Sequence, residues 1–165
     1  MKSETTIRKS IRNWIMLFMI LLILSGVTAF ALETELGWLD RIFLYRTSGL
    51  AIWIHAVYMA LRQTNQSYPF LSYGYDWLAF AHLVIATAFF GVLKDPVRNK
   101  WIVQFGRISC WMIFPLAGIA GYVRGIPIFW QLIDCSFGIF GLIPLTICYR
   151  KIEQLEKANQ ISSCI

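Results

Sequence analysis

Residues 101–149 read WIVQFGRISCWMIFPLAGIAGYVRGIPIFWQLIDCSFGIFGLIPLTICY, and this stretch decides the fold. It holds two long apolar runs, Trp101 to Val123 and Ile128 to Tyr149, separated only by Arg124-Gly125-Ile126-Pro127. A helix needs about 20 apolar residues to cross the hydrocarbon of a bilayer. The two runs therefore predict a pair of membrane-spanning helices joined by a tight turn.

Two further apolar runs precede this pair. Trp77 to Leu93 is followed by the basic loop of residues 94–100, and Trp14 to Leu32 follows a basic start. Ala29-Phe30-Ala31 resembles a signal-peptidase site, so a cleaved signal that leaves three spans is the alternative for the first run. Because the chain begins at Met1 and carries further spans, we expect an uncleaved anchor and four spans.

The composition agrees with a protein that lies in lipid. Of its 165 residues, 58% are apolar and 15% are charged, whereas soluble domains average roughly 45–50% and roughly 25%. The length suits one transmembrane domain over residues 1–165, which predicts an all-α integral membrane four-helix bundle. The net charge of +6 comes from basic residues that flank the apolar runs, so no nucleic-acid partner is expected.

Residues 33–62 are predicted to stay on one side of the membrane. Glu33 to Arg41 is acidic and polar, and about 47–62 is apolar but interrupted by polar residues. In the second segment Leu50, Ile54 and Val57 share one side of a helix, while His55 lies on another side. This pattern predicts an interfacial helix on the outer surface.

Positive charge predicts the orientation, because cytoplasmic loops carry an excess of Lys and Arg. With four spans, ten basic residues lie inside and four outside, which places both termini in the cytoplasm; a fifth span at 42–62 would reverse the bias downstream. The inside set is Lys2, Arg8, Lys9, Arg12, Lys94, Arg98, Lys100, Arg150, Lys151 and Lys157, and the outside set is Arg41, Arg46, Arg62 and Arg124.

Asp134 is the most informative residue, since an aspartate inside a span costs on the order of 2.5–3.5 kcal/mol on insertion scales. His82 in the second span is expected at a similar depth, so the two side chains could hydrogen-bond across the bundle. Gln131 shares the face of Asp134, and Gly138 and Gly141 continue it with room for close helix approach.

These polar groups have two interpretations. They form either a ligand-anchoring or proton-relay site in the outer half, or a set of contacts that only holds the helices together. The candidate ligand-binding residues are His82, Asp134, Gln131, Arg124, Trp130 and Asp76.

Arg107 lies six residues into the third span, where a long side chain can extend to the headgroups. The alternative is a basic pocket that binds a lipid phosphate. Its candidate residues are Arg107, Gln104, Lys100 and Arg98.

Metal, cofactor and catalytic signals are weak. The cysteines Cys110, Cys135, Cys148 and Cys164 form no CxxC pair, and no metal site or cofactor is expected. Haem bound by His55 and His82 is disfavoured because His55 is assigned to the surface helix. No nucleophile elbow, phosphate-binding glycine loop or HExxH motif occurs, so the prediction leans away from an enzyme.

Four motifs are similar to those of a bacterial protein family. They are residues 68–82 (YPFLSYGYDWLAFAH), 94–99 (KDPVRN), 124–127 (RGIP) and 133–138 (IDCSFG). Over about residues 32–156 the chain resembles a family of uncharacterised small membrane proteins from Bacteroidota-type bacteria, without an assigned activity. The resemblance implies a bacterial inner-membrane location and draws attention to Asp76, His82, Arg124 and Asp134.

The leading hypothesis is a non-catalytic inner-membrane protein whose polar outer-half pocket binds a lipid, a small amphiphile or a membrane partner. That partner could be another membrane protein or a second copy of the chain. The rival is a small membrane-embedded enzyme or proton-coupled carrier that uses His82 and Asp134.

Overall fold

The computed structural model describes the backbone of residues 4–163 and the side chains of residues 4–158. Lys2 and Cys164 therefore lie outside the described residues. Over this range the chain is helical and contains no strand. The helices are α1 (Glu4–Phe30), α2 (Leu32–Phe43), α3 (Gly49–Ser67), α4 (Tyr73–Ala88), α5 (Phe90–Lys94), α6 (Lys100–Val123) and α7 (Ile128–Ser163), with a 3-10 turn at Pro69–Ser72.

Four segments of the described chain are long and apolar enough to cross a membrane. In the most apolar stretch of 18 residues in each segment, only 17% to 22% is buried inside the protein. Most of this apolar surface therefore faces outward, as it does in helices that contact lipid. The all-α fold is thus confirmed, and the four predicted spans correspond to four helices that could cross a membrane. Their bounds are Glu4–Phe30, Pro69–Lys94, Lys100–Val123 and Ile128–Ala158.

The chain divides into two compact units. Unit 1 comprises the described residues of 1–20 and 87–165, and unit 2 comprises residues 21–86. Unit 1 has a core of apolar side chains from the first half of α1 and from α5, α6 and α7. The most deeply buried, each at most 1% exposed, are Ile11, Ile15, Phe89, Val92, Val103, Leu145, Cys148, Ile152 and Leu155.

A tight turn joins α6 to α7, as predicted. Gly125 has a positive φ of 64°, a conformation that a residue without Cβ adopts at little cost. The Ile126 N–H donates to the Gly121 carbonyl at 2.9 Å, and the Gly125 N–H donates to the Tyr122 carbonyl at 3.2 Å. These two bonds form a Schellman motif, and Pro127 follows it because proline cannot continue the helix.

Glycines let α6 and α7 approach closely. A Cβ added at Gly138 would lie 2.9 Å from the Cys110 carbonyl oxygen, and one at Gly141 would lie 2.7 Å from the Cys110 Sγ. A side chain at Gly138 would have to move the backbone of α6, whereas one at Gly141 would have to move the Cys110 thiol. The expectation of close helix approach at Gly138 and Gly141 is confirmed.

Unit 2 contains a hairpin of two helices, α2 and α3. The predicted helix of residues 47–62 is found as α3, which begins after Ser48; the Ser48 Oγ accepts a hydrogen bond from the Ala51 N–H at 3.3 Å. α3 is not among the segments that could cross the membrane. The sequence analysis did not predict helix α2, which packs against α3 and buries Leu36 and Asp40.

Candidate functional site

Asp134 lies six residues after the start of α7, about 9 Å along the helix axis. Its side chain is half-buried. No described group of unit 1 forms a hydrogen bond or an ion pair with its carboxylate. The nearby Ser136 hydroxyl donates instead to the Ile133 carbonyl of its own helix, at 2.6 Å. Asp134 therefore places a carboxylate inside an apolar helix, and this carboxylate has no partner among the described residues of its own unit.

Gln131, one turn before Asp134, is occupied by the α6–α7 turn. Its Nε2 donates to the Ile126 carbonyl at 2.8 Å, and its side chain packs so closely on Gly121 that an added Cβ there would lie 2.5 Å from Gln131 Cδ. This geometry favours the packing interpretation for Gln131. The side-chain amide of Gln131 stabilises the turn. Because it is bonded there, Gln131 does not donate to Asp134.

Arg124 and Trp130 flank the same turn. Arg124 ends α6 with its side chain exposed, and its backbone N–H donates to the Ala120 carbonyl at 3.0 Å. Trp130 is half-buried in the first turn of α7. The structure thus places Arg124, Trp130, Gln131 and Asp134 along one short part of unit 1, from the α6–α7 turn into the second turn of α7.

The other two candidate ligand residues, His82 and Asp76, belong to α4 in unit 2. His82 Nδ1 donates to the Leu78 carbonyl at 2.8 Å, and its Cβ would lie 3.0 Å from a Cβ added at Gly26. Asp76 lies in the first turn of α4, where a carboxylate interacts favourably with the helix dipole. The pairing of His82 with Asp134 stays a prediction.

Two of the predicted headgroup residues, Lys100 and Arg98, differ in their surroundings. Lys100 Nζ donates to Glu156 Oε2 at 2.6 Å and lies 3.7 Å from Glu153 Oε1. Arg98 is exposed in the loop before α6, where its backbone N–H donates to Asp95 Oδ1 at 3.0 Å. The charge of Lys100 is therefore largely neutralised by α7, and Arg98 extends into the surroundings.

Arg107 has a different environment from Lys100. Its guanidinium carbon lies 4.5 Å from the centroid of the Tyr149 ring, and Lys100 Nζ lies 4.9 Å from the same ring. The Arg107 Nε is buried without a hydrogen-bond partner in the described structure. Gln104, half-buried, shares the helix face of both cations because it lies four residues after Lys100 and three before Arg107.

The sequence analysis missed a set of polar contacts in unit 2. His55 Nδ1 hydrogen-bonds to Asp40 Oδ1 at 2.9 Å, and Asn65 Nδ2 donates to Glu33 Oε2 at 2.6 Å. The Tyr75 hydroxyl donates to Asn65 Oδ1 at 3.2 Å, and the Ser72 hydroxyl donates to the same oxygen. The available signal was the spacing of Glu33, Gly37 and Asp40, which places them on one face of a helix.

The side chains described by the structure contain no group of three or more His, Cys, Asp or Glu residues that could bind a metal ion. Cys110 and Cys148 are buried free thiols and Cys135 is half-buried. A scan of protein-family models finds no match to this chain, and neither does a search of curated proteins or of solved structures.

Proposed function

We propose that this chain is a non-catalytic bacterial inner-membrane protein that binds a lipid or another small amphiphile through polar groups in the outer half of its bundle. The observation that carries the proposal is Asp134. A carboxylate in an apolar helix is costly unless it has a donor or a cation beside it. None is supplied by the described residues of its own unit.

The surroundings of Asp134 match an amphiphile with a hydrogen-bond donor in its headgroup. Leu132 and Phe137 are each 64% exposed and Ile133 is 39% exposed, so apolar surface lies on α7 beside the carboxylate. Alkyl chains can cover this surface while an ammonium or hydroxyl group donates to Asp134. A membrane-protein partner that presents a donor at the same place is an alternative occupant.

The proposed location rests on charge. The described basic residues are concentrated at the ends of the spans that the positive-inside rule assigns to the cytoplasm. In this orientation the α6–α7 turn and the first turns of α7 lie in the outer half, and the α2–α3 hairpin lies on the outer surface.

The test is the amphiphile content of the purified full-length protein, measured by mass spectrometry after gentle detergent extraction. For Asp134→Asn we expect about a tenfold loss of the bound species, because a charge-assisted hydrogen bond is replaced by a weaker one. Ser136→Ala is the control, since its hydroxyl is satisfied by its own helix. Unchanged content together with a lower thermal midpoint in Asp134→Asn would show that Asp134 only stabilises the bundle.

The rival proton-handling role predicts a different result. A carrier that uses His82 and Asp134 would move protons across vesicles that contain the protein and an entrapped pH-sensitive dye. The lipid-binding proposal predicts no flux above that of empty vesicles. A flux that Asp134→Asn and His82→Gln both abolish would replace the proposal with the carrier.

A further inference from the structure

Two cations contact the Tyr149 ring, and among the described residues of unit 1 only Lys100 has carboxylate partners. Lys100 has Glu156 at 2.6 Å and Glu153 at 3.7 Å. Arg107 forms no ion pair with any described carboxylate of unit 1. Lys100 is therefore neutralised within the protein, whereas the charge of Arg107 remains available to an anion from outside the unit.

The Tyr149 ring holds the Arg107 guanidinium in one place. Its carbon lies 4.5 Å from the ring centroid, within the range of cation–π contact, and the Nε is buried. Contact through one face leaves the planar fork of N–H donors on the two terminal nitrogens, at the edge of the guanidinium, without a partner in the described part of unit 1. A fork held in this way loses little side-chain entropy when it binds an oxyanion.

The height of Arg107 in the membrane agrees with a headgroup contact. Its Cα lies seven residues after Lys100, about 10 Å along α6. Helical side chains point toward the helix N-terminus, and Arg107 accordingly contacts the same ring as Lys100. The charged group thus lies nearer to the start of α6 than its backbone does, as a side chain that extends to the headgroups requires.

We propose that Arg107 binds the phosphate oxyanion of a membrane phospholipid, with Gln104 as a neighbouring donor and Tyr149 as the residue that positions the guanidinium. Phe105 and Ile108, which are 42% and 44% exposed, offer the adjacent apolar surface that acyl chains cover. The bidentate geometry of guanidinium and phosphate supplies the recognition. Lys100 and Arg98, which the sequence analysis included, are outside this set.

This site is independent of the proposed function at Asp134. Arg107 lies near the start of α6, whereas Asp134 lies near the α6–α7 turn, at the other end of this helix pair. A variant of Arg107 should therefore leave the amphiphile bound at Asp134 unchanged. Failure of one proposal does not produce failure of the other.

The experiment measures retention of phosphatidylglycerol by the full-length protein in detergent, using native mass spectrometry during lipid titration. For Arg107→Gln we expect retention to fall about tenfold, because a charge-assisted bidentate contact is lost. Arg98→Gln is the matched control: it removes the same charge from an exposed loop position, and we expect retention within about twofold of wild type. Equal retention in the two variants would overturn the proposal.

Two further arms separate the source of the phosphate and guard against misfolding. Inorganic phosphate at the same concentration should not displace the lipid; displacement would assign the site to a soluble phosphate and overturn the lipid assignment. Arg107→Lys keeps the charge but lacks the planar fork. At an unchanged elution volume we expect it to lose about threefold in retention, and wild-type retention would contradict the proposed geometry.

Discussion

Unit 1 and the α2–α3 hairpin of unit 2 are each stabilised internally by a different kind of contact. Unit 1 depends on apolar side chains that are fully buried, such as Phe89 and Leu145, each 0% exposed. The α2–α3 hairpin of unit 2 has a small apolar contact, with Leu36 and Ile54 buried, and adds polar pairs to it, such as Asp40, 9% exposed, with His55. Apolar packing tolerates a broad range of partners, whereas a polar pair requires two particular atoms. Stability in unit 1 should therefore be spread over many residues, and in the hairpin concentrated in a few.

The largest expected effect concerns the apolar core of unit 1. Ile152 is 0% exposed although it follows the basic residues at the end of the α7 span, where water is close. Ile152→Ala should lower the free energy of unfolding by about 3 kcal/mol, because it removes buried methylenes and leaves a cavity. Denaturant unfolding followed by circular dichroism measures the change.

Ile139→Ala on the same helix is the control, since Ile139 is 51% exposed. It should change the unfolding free energy by less than about 1 kcal/mol. An equal loss of unfolding free energy in the two variants would contradict the prediction, because burial of apolar side chains would then not be the main source of stability in unit 1.

A smaller effect is expected at the contact between α6 and α7. Gly138→Ala should cost about 2 kcal/mol, because the new methyl group meets the Cys110 carbonyl at 2.9 Å and backbone cannot move aside easily. Gly118→Ala places a methyl group where nothing lies within 4 Å, and it should be neutral or stabilising. Thermal unfolding in detergent compares the two; a larger loss in Gly118→Ala would contradict the helix contact described here.

The smallest expected effect lies in the hairpin. Asp40→Asn should destabilise α2 by about 1 kcal/mol, since the partner ring of His55 is 57% exposed and water replaces part of the lost interaction. Hydrogen–deuterium exchange should accelerate in α2 and α3 while unit 1 keeps its protection. Glu35→Gln is the control on the same helix, and faster exchange in both variants would show a general charge effect instead of a specific pair.

Hydropathy was sufficient to predict the four helices that could cross a membrane. The apolar runs of residues 101–123 and 128–149 reappear within α6 and α7, and the turn between them was visible in Gly125 and Pro127. The glycine positions for close approach were also predictable, since small residues recur where helices meet. What these signals share is that each lies in one short stretch of sequence.

Helix α2 and its polar contacts were not predictable in this way. Asp40 meets a residue 15 positions away and Glu33 meets one 32 positions away, so no local pattern records the pairing. The candidate site shows the same limit. Position within the apolar runs identified Asp134 and Arg107 as candidates, but only the structure shows that Lys100 is engaged by Glu156 while Arg107 has no such partner among the described residues of unit 1.

The length of α7 has a mechanical consequence. A continuous helix from Ile128 to Ser163 extends about 54 Å, well beyond the roughly 30 Å of bilayer hydrocarbon. The part beyond the hydrocarbon packs on unit 1, since Ile152 and Leu155 are 0% exposed and Glu156 pairs with Lys100. A tilt of α7, which is how a long helix adapts to a thinner bilayer, would therefore carry the start of α6 with it.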